Sequence, residues 1–418
     1  MHFSLKSSSL TGLLGLGIIL GSIAPTVVAQ CSNVYVRKEV RELSSGEFSA
    51  FINAIQQLKS GPSPTRYDRY AQVHLQHQRE IHGNPFFLPW HRQFTLEFER
   101  ELQRINPSVS VPYWNWSLDA ARPETSPVLQ DDMMGGNSFG QCLTSGPFAG
   151  WQRPYPSPGC LRRRYSQGSS IGAFANPSII NVITARSTEY DEFRRSIEMG
   201  PHAGPHNGIG ADMAGMQSPA DPLFFLHHSF VDKIWYDWQV SREDNMYKFS
   251  GTYNGNAVTA DDELIFYPGI RVRDIMDIRS LCYSYTGSSS GPAPQAQGDA
   301  QSDAQGESEL VRRALIRRAD APSGNTAKVA LNIGSVTSDI SNRLTKIMKL
   351  THEEVTDIAQ KIDEELVTPA PIPESYCRMN NYDIQEVRAQ EAAIQSLMET
   401  INKVFRTLVP EKHAAYGY

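Results

Sequence analysis

Eight of the eleven histidines in this 418-residue chain fall in two short windows. The first, VHLQHQREIHGNPFFLPWH, covers residues 73–91, and the second, PHAGPHNGIGADMAGMQSPADPLFFLHH, covers residues 201–228. A single buried histidine is usually a hydrogen-bonded core residue, whereas clustered histidines are typical of metal ligands. The sequence therefore predicts a metal site in each window.

The spacing at the start of the second window favours a shared ion. His202 and His206 are four residues apart, so one helical turn can point both rings the same way. Pro205 lies between them and distorts that turn, so the geometry is not fixed by spacing alone. We expect both histidines to be ligands.

A further helix is predicted at the end of this window, where Asp221 can cap a helix that begins at Pro222. The adjacent His227 and His228 would then point roughly 100° apart around the helix axis, so only one of them faces the ion. The second window thus offers three ligands. The first window also supplies three, with one histidine left over: His74, His82 and His91, with His77 as the spare.

The donor set narrows the choice of metal. Imidazole suits copper, zinc, nickel and iron. Neither window contains the HExxH arrangement of a zinc peptidase, and no carboxylate completes a two-histidine iron site. Two neutral three-histidine sites favour a pair of copper ions that bind dioxygen between them.

The beginning of the chain resembles a secretory signal. A short basic start, an apolar run and small residues ending at Ala29 predict cleavage there, so residues 1–29 would be removed. A signal anchor is the alternative, because about 20 apolar residues can span a bilayer. Several glycines and Pro25 make a poor membrane helix, so we expect a secreted, extracellular protein with no membrane attachment.

Secretion makes disulfides possible among the five cysteines. Cys142 and Cys160 flank a loop rich in glycine and proline and can close it. Cys31 and Cys282 lie near the two ends of the part of the chain that contains both histidine windows, and Cys377 is left over.

A segment without aromatic or large aliphatic residues, 287–308, predicts a flexible linker. Beyond it stand two dibasic pairs, Arg312-Arg313 and Arg317-Arg318, which are either processing sites or part of a solvated helix face. The remainder, 309–418, is predicted to be helical.

Two patterns support that helical segment. Thr351 and Glu354 form a capping-box pattern, and apolar residues recur at helical spacing from Ile384 to Phe405. The part before the linker is also mostly helical, with helical periodicity in GEFSAFINAIQQLK and RQFTLEFERELQRI. The net charge of −6 and the absence of a basic block argue against a nucleic-acid partner.

Two motifs give the histidine windows a family resemblance. HGNPFFLPWHR resembles the first copper motif of the tyrosinase, catechol oxidase and haemocyanin superfamily, and DPLFFLHHSFVDKIW resembles the second. PYWNWS and the closing YSY are similar to short secreted fungal members. The resemblance covers residues 31–286, and the C-terminal segment carries none of it.

This resemblance implies a type 3 dinuclear centre of two copper ions. The implied ligands are His74, His82 and His91 for the first copper and His202, His206 and His228 for the second. It implies a mainly α fold for residues 30–286, with a central antiparallel four-helix bundle around the metals, long irregular loops and few short strands. The helical C-terminal segment would be separate and either shields the site, as in latent family members, or is removed.

The resemblance also bears on reaction range. In family hydroxylases, a glutamate and an asparagine hold a water that helps to deprotonate a monophenol. Glu198 matches the glutamate, but Ala203 stands after His202 where asparagine is common, and Asn207 follows His206 instead. We name Glu198 and Asn207 as candidate catalytic residues and expect weak or absent monophenol hydroxylation.

The predicted function is a secreted polyphenol oxidase that uses dioxygen to convert o-diphenols or o-aminophenols to o-quinones. The alternatives are a true tyrosinase with monophenolase (monooxygenase) activity and a tailoring enzyme of phenolic secondary metabolism. A dioxygen carrier and a zinc-loaded non-redox enzyme are the remaining classes. The natural phenol depends on residues 207–218, which carry no clear code.

Overall fold

The computed structural model describes residues 31–287 and 348–408. The predicted signal peptide, nearly all of the predicted linker and both dibasic pairs lie outside these ranges. None of the described helices is both long and apolar enough to cross a bilayer.

The first described range is mostly helical, as predicted. Its helices are α1 (Ser45–Leu58), α2 (Asp68–Gln76), α3 (Phe87–Ile105), α4 (Pro177–Arg186), α5 (Tyr190–Ile197), α6 (Ala203–Ile209) and α7 (Leu223–Ser241). A π-helical turn, Glu198–His202, joins α5 to α6. Short 3-10 turns and long loops fill the rest.

The described strands are few and short, which also agrees with the prediction. They are β1 (Tyr35–Arg37), β2 (Gln152–Arg153), β3 (Gly159–Cys160), β4 (Thr252–Tyr253), β5 (Asn256–Ala257) and β6 (Tyr283–Tyr285). They form three two-stranded sheets, of which β1 with β6 is parallel and the other two are antiparallel. The β1–β6 pair brings the two ends of this range together.

Side chains in the preceding loops fix where α3 and α7 begin. Asn84 accepts a hydrogen bond from the backbone N–H of Phe86 and donates to the carbonyl of His82, which closes a rigid turn before α3. Asp221 accepts a hydrogen bond from the backbone N–H of Leu223. The helix begins at Leu223, one residue after the predicted start, so Pro222 and not Asp221 occupies its N-cap position.

Helices α3 and α7 pack against each other through aromatic rings. Phe98 stacks on Phe225 with ring centroids 3.6 Å apart, and Phe94 contacts the same ring. One helical turn beyond the second histidine window, Asp232 forms a buried ion pair with Arg92. These contacts hold the two helices that carry His91 and His228 in register.

Two disulfides stabilise this range, and both were expected from the sequence. Cys31 is bonded to Cys282 beside the β1–β6 pair, and Cys142 is bonded to Cys160 across the loop that contains β2 and β3. Cys377 is free and buried.

The second described range forms three helices, α8 (His352–Lys361), α9 (Glu374–Met379) and α10 (Ile384–Leu408). The predicted capping box is present, because Thr351 and Glu354 satisfy each other's backbone N–H groups. Helix α10 packs on α8 and on the π turn, so the segment lies directly on the histidine-bearing half of the chain.

Candidate metal centre

The first histidine window converges on one point. His74 is on α2, His82 is in the turn before α3, and His91 is on the first turns of α3. The ring centroids are 4.9 Å apart for His74 and His82 and 5.1 Å apart for His82 and His91. The possible ligand atoms of the three lie within 4.8 Å of one another.

The second window converges in the same way with four histidines. His202 ends the π turn, His206 is on α6, and His227 and His228 are on α7. Their possible ligand atoms also lie within 4.8 Å of one another. His202 and His206 are brought together although Pro205 lies between them, because Pro205 is in the first turn of α6, where a proline is tolerated.

The two clusters adjoin. The rings of His91 and His228 stack with centroids 4.3 Å apart and planes 10° apart. All seven clustered rings are buried, and burial lowers the pKa of His82 to about 3 and the pKa of His206 to about 4. The rings are therefore neutral at ordinary pH, as metal ligands must be.

Five of the seven rings are oriented by backbone carbonyls. A carbonyl oxygen only accepts, so Nδ1 carries the proton and Nε2 keeps its lone pair for a metal. The Nδ1–O distances are His74 to Met216, 2.7 Å; His82 to Gln78, 3.0 Å; His91 to Phe87, 2.8 Å; His202 to Glu198, 3.0 Å; and His206 to Met213, 2.7 Å. The donor set thus fits two metals bound through Nε2.

The two adjacent histidines on α7 differ in their contacts. His227 Nδ1 accepts a hydrogen bond from the indole N–H of Trp116 at 3.1 Å, and both side chains are fully buried. His228 Nδ1 is buried without a hydrogen-bond partner among the described residues. His77 lies outside both clusters, near Glu80 and Phe266.

The two candidate catalytic residues, Glu198 and Asn207, have different hydrogen-bond partners. Glu198 accepts from the backbone N–H of Gly83 at 2.6 Å and pairs with Arg194 at 2.9 Å. Burial raises the pKa of Glu198 to about 7, although these two contacts oppose the rise. Asn207 donates its amide to the carbonyl of Ala203 at 2.8 Å, within its own helix.

The C-terminal segment covers the second cluster. The Tyr376 ring centroid lies 6.2 Å from that of His206, and the Tyr382 hydroxyl donates to the carbonyl of Glu198 at 3.4 Å. Met199 and Ala203 are buried against this segment.

The C-terminal segment also approaches glycines of the range 31–287 closely. We call the contact between these two parts of the chain the seam. A Cβ added at Gly83 would lie 2.8 Å from the carbonyl oxygen of Asn381, and one added at Gly172 would lie 2.5 Å from the Cβ of Ala370. Only glycine fits at these two points.

Sequence reasoning missed two residues of the site. Trp116 lies in the PYWNWS motif, which supports only the family resemblance. Nothing in the sequence indicates that its indole faces a histidine. Tyr376 lies 170 residues beyond His206 in the sequence, so no spacing rule connects the two.

Comparisons with known proteins agree with this geometry. Residues 64–241 match the sequence model described as the common central domain of tyrosinase. The chain is 31% identical over 302 residues to Tyrosinase ustQ of Aspergillus flavus, covering 64% of this chain and 84% of the relative. It is 33% identical over 239 residues to a tyrosinase of Streptomyces antibioticus, covering 51% and 85%.

A solved structure supports the fold. A polyphenol oxidase from Thermothelomyces thermophila superposes with a TM-score of 0.52 at 24% identity, covering 60% of this chain and 88% of that one. The chain therefore belongs to the tyrosinase family of type 3 copper proteins, whose dinuclear copper centre its two buried histidine clusters fit.

Proposed function

We propose that this chain is a copper oxidase that converts o-diphenols to o-quinones, or o-aminophenols to the corresponding o-quinone imines. In the overall reaction, two diphenols each lose two electrons and two protons, and one dioxygen is reduced to two waters. The two coppers, when bound, supply the electron exchange between dioxygen and the phenol. The side chains of the protein bind and orient the phenol and the metals and control the transfer of protons.

The observation that carries this proposal is the carbonyl contact at Nδ1 of five histidines. It supports His74, His82 and His91 as ligands of one copper and His202 and His206 as ligands of the other. The third ligand of the second copper is His228, as the resemblance implies, and it lies in the same buried cluster. Helices α2, α3, α6 and α7 each carry one of these six residues, four in all, and would form the four-helix bundle that the resemblance implies.

The surrounding side chains support a dry and rigid centre. Phe87 lies 4.8 Å from the ring of His91 and 4.7 Å from that of His202, between the two clusters. Phe224 lies 4.2 Å from His228. Aromatic walls of this kind exclude bulk water and limit the freedom of the ligand rings.

Weak monophenol hydroxylation remains part of the proposal. Glu198 forms an ion pair with Arg194 and accepts a hydrogen bond from the backbone of Gly83. Asn207, the other candidate for holding the water, donates its side-chain amide to a backbone carbonyl within α6. A water held jointly by Glu198 and Asn207 would require Asn207 to leave that bond. We therefore propose that diphenol oxidation is the main activity and monophenolase activity the alternative.

We also propose the domain organisation expected from the sequence: signal peptide 1–29, catalytic domain 30–286, linker 287–308 and C-terminal segment 309–418. The contacts of Tyr376 and Tyr382 support a shielding role for the last of these. The disulfides are compatible with secretion.

Metal content and a panel of phenols test the function. We expect two coppers per chain, catechol oxidation by the protein freed of its C-terminal segment, and loss of one copper and of all activity in His91→Ala. His77→Ala is the matched control and should keep both. Reversible dioxygen binding without catechol turnover would favour the carrier class, and zinc in place of copper would favour a non-redox enzyme.

A further inference from the structure

The second cluster contains one histidine more than a three-ligand copper needs. The ring of His227 lies 4.6 Å from that of His206 and 5.3 Å from that of His202, which places it as close to these rings as His228 is. Proximity alone therefore does not decide which of the two neighbours on α7 binds the metal.

The hydrogen bond from Trp116 does decide it. An indole N–H can only donate, so Nδ1 of His227 must present a lone pair to it. The proton of the neutral ring then resides on Nε2, and a doubly protonated ring is excluded for the same reason. Both nitrogens of His227 are thereby withheld from a metal, one by the indole and one by its own proton.

This arrangement is opposite to that of the five rings with a carbonyl at Nδ1. In those rings the backbone acceptor keeps the proton on Nδ1 and frees Nε2. In His227 a donor replaces the acceptor, and Nε2 is buried without a hydrogen-bond partner among the described residues. The tautomer of His227 therefore differs from theirs because a donor, and not an acceptor, faces its Nδ1; its distance from the cluster plays no part.

We propose that Trp116 is a positioning residue for the second copper: its indole N–H holds His227 in the tautomer that cannot bind metal, so that His228 is the third ligand. This inference rests on the proposed function. Metal binding by His227 would leave the buried indole N–H facing a second N–H, which should weaken such binding by roughly 5- to 150-fold.

A double variant tests the proposal through metal content. His228→Ala alone should retain one copper per chain, because Trp116 still blocks His227. Trp116→Phe with His228→Ala should regain the second copper, since the phenyl ring keeps the aromatic volume but donates no hydrogen bond. Trp114→Phe with His228→Ala is the matched control and should retain one copper, because Trp114 makes no hydrogen bond to His227.

The outcomes separate the two levels of inference. If wild-type protein does not bind two coppers, the proposed function fails. If it does, and the Trp116→Phe double variant still binds one copper, the tautomer role of Trp116 is wrong. Two coppers in His228→Ala alone would also overturn it.

A second measurement does not depend on the double variant. In metal-free wild-type protein with ¹⁵N-labelled histidine, the His227 ring, assigned by its loss in His227→Gln, should show a protonated Nε2 and an unprotonated Nδ1. A protonated Nδ1 in that ring would overturn the proposal.

Discussion

The individual histidines of this site are prepared for metal by their surroundings before any metal arrives. Burial keeps each ring neutral, and a carbonyl at Nδ1 fixes the tautomer in five of them. This preparation costs stability in acid, because a buried ring cannot accept a proton that the unfolded chain accepts readily.

That cost gives a pH prediction for the metal-free protein. The pKa of His82 is lowered to about 3 in the folded state, against about 6.5 in an unfolded chain. Between those values the unfolded state binds the extra proton, so the free energy of unfolding falls as pH decreases below 6.5. At pH 5 the loss from one such ring is about 2 kcal/mol.

Urea unfolding of metal-free protein at pH 7, 6 and 5 measures this loss. His82→Gln should reduce the slope against pH by about one proton. An unchanged slope in His82→Gln would contradict the assignment of the loss to buried rings.

We infer that single residues also set the reaction range. Ala203 stands beside His202, at the position where the family resemblance implies an amide that holds water together with Glu198. We expect 4-methylcatechol to be oxidised at least tenfold faster than tyrosol is hydroxylated, a difference of about 1.4 kcal/mol in activation free energy.

Because Ala203 is buried under the C-terminal segment, its replacement is best made in a chain ended at Thr286. There, Ala203→Asn should raise tyrosol hydroxylation and leave catechol oxidation nearly unchanged. Equal initial rates for both substrates in the wild-type chain, without a lag, would contradict the expectation.

The sequence predicted the two histidine clusters at this scale because residue type and spacing are enough to identify them. It did not predict the role of Trp116, because a contact across 111 residues depends on the fold. The choice between His227 and His228 came only from the family resemblance, since helical geometry left both open.

At the scale of elements, α3 and α7 form the rigid part of the centre. Their register is fixed by stacked aromatic rings and by Asp232, which pairs with Arg92 and Arg37 and accepts from the hydroxyls of Tyr283 and Tyr285. Helical periodicity predicted that these helices exist. It could not predict the partners of Asp232, because four of them come from β1, α3 and β6.

This network makes Asp232 a sensitive position. Asp232→Asn leaves two buried guanidinium groups without their shared carboxylate, so we expect a loss of about 3–5 kcal/mol in the free energy of unfolding. Chemical denaturation of the metal-free protein measures it.

Asp244→Asn is the control for Asp232→Asn, because it breaks an ion pair with Lys248 near the surface just after α7. Ion pairs between solvent-exposed side chains contribute little to stability, because water and salt screen them. Similar losses in the two variants would mean that the buried network does not stabilise the helix pair as argued.

At the scale of the whole molecule, the C-terminal segment makes specific contacts with the first described range, residues 31–287, which we call the catalytic range. Ala370 donates its backbone N–H to the carbonyl of Ala173, Gln390 donates to the carbonyl of Ser196, and Arg195 pairs with Glu386. The sequence predicted α8 and α10 and an apolar face on α10, but it did not predict the short helix α9 between them. It could not predict the seam, because the sequence does not distinguish a glycine that leaves room for a neighbouring segment from any other loop glycine.

Gly172 offers a way to loosen that seam without touching a metal ligand. In Gly172→Ala the new methyl group would meet the Cβ of Ala370 at 2.5 Å, so the segment must shift. If the segment shields the centre, full-length Gly172→Ala should oxidise catechol several-fold faster than the full-length wild type, and a chain ended at Thr286 should be faster still. Gly46→Ala, where a Cβ meets nothing within 4 Å, should match the wild type. Equal rates in the full-length, Gly172→Ala and shortened proteins would show that the segment leaves the centre open to phenols, and that its contacts with the catalytic range serve stability alone.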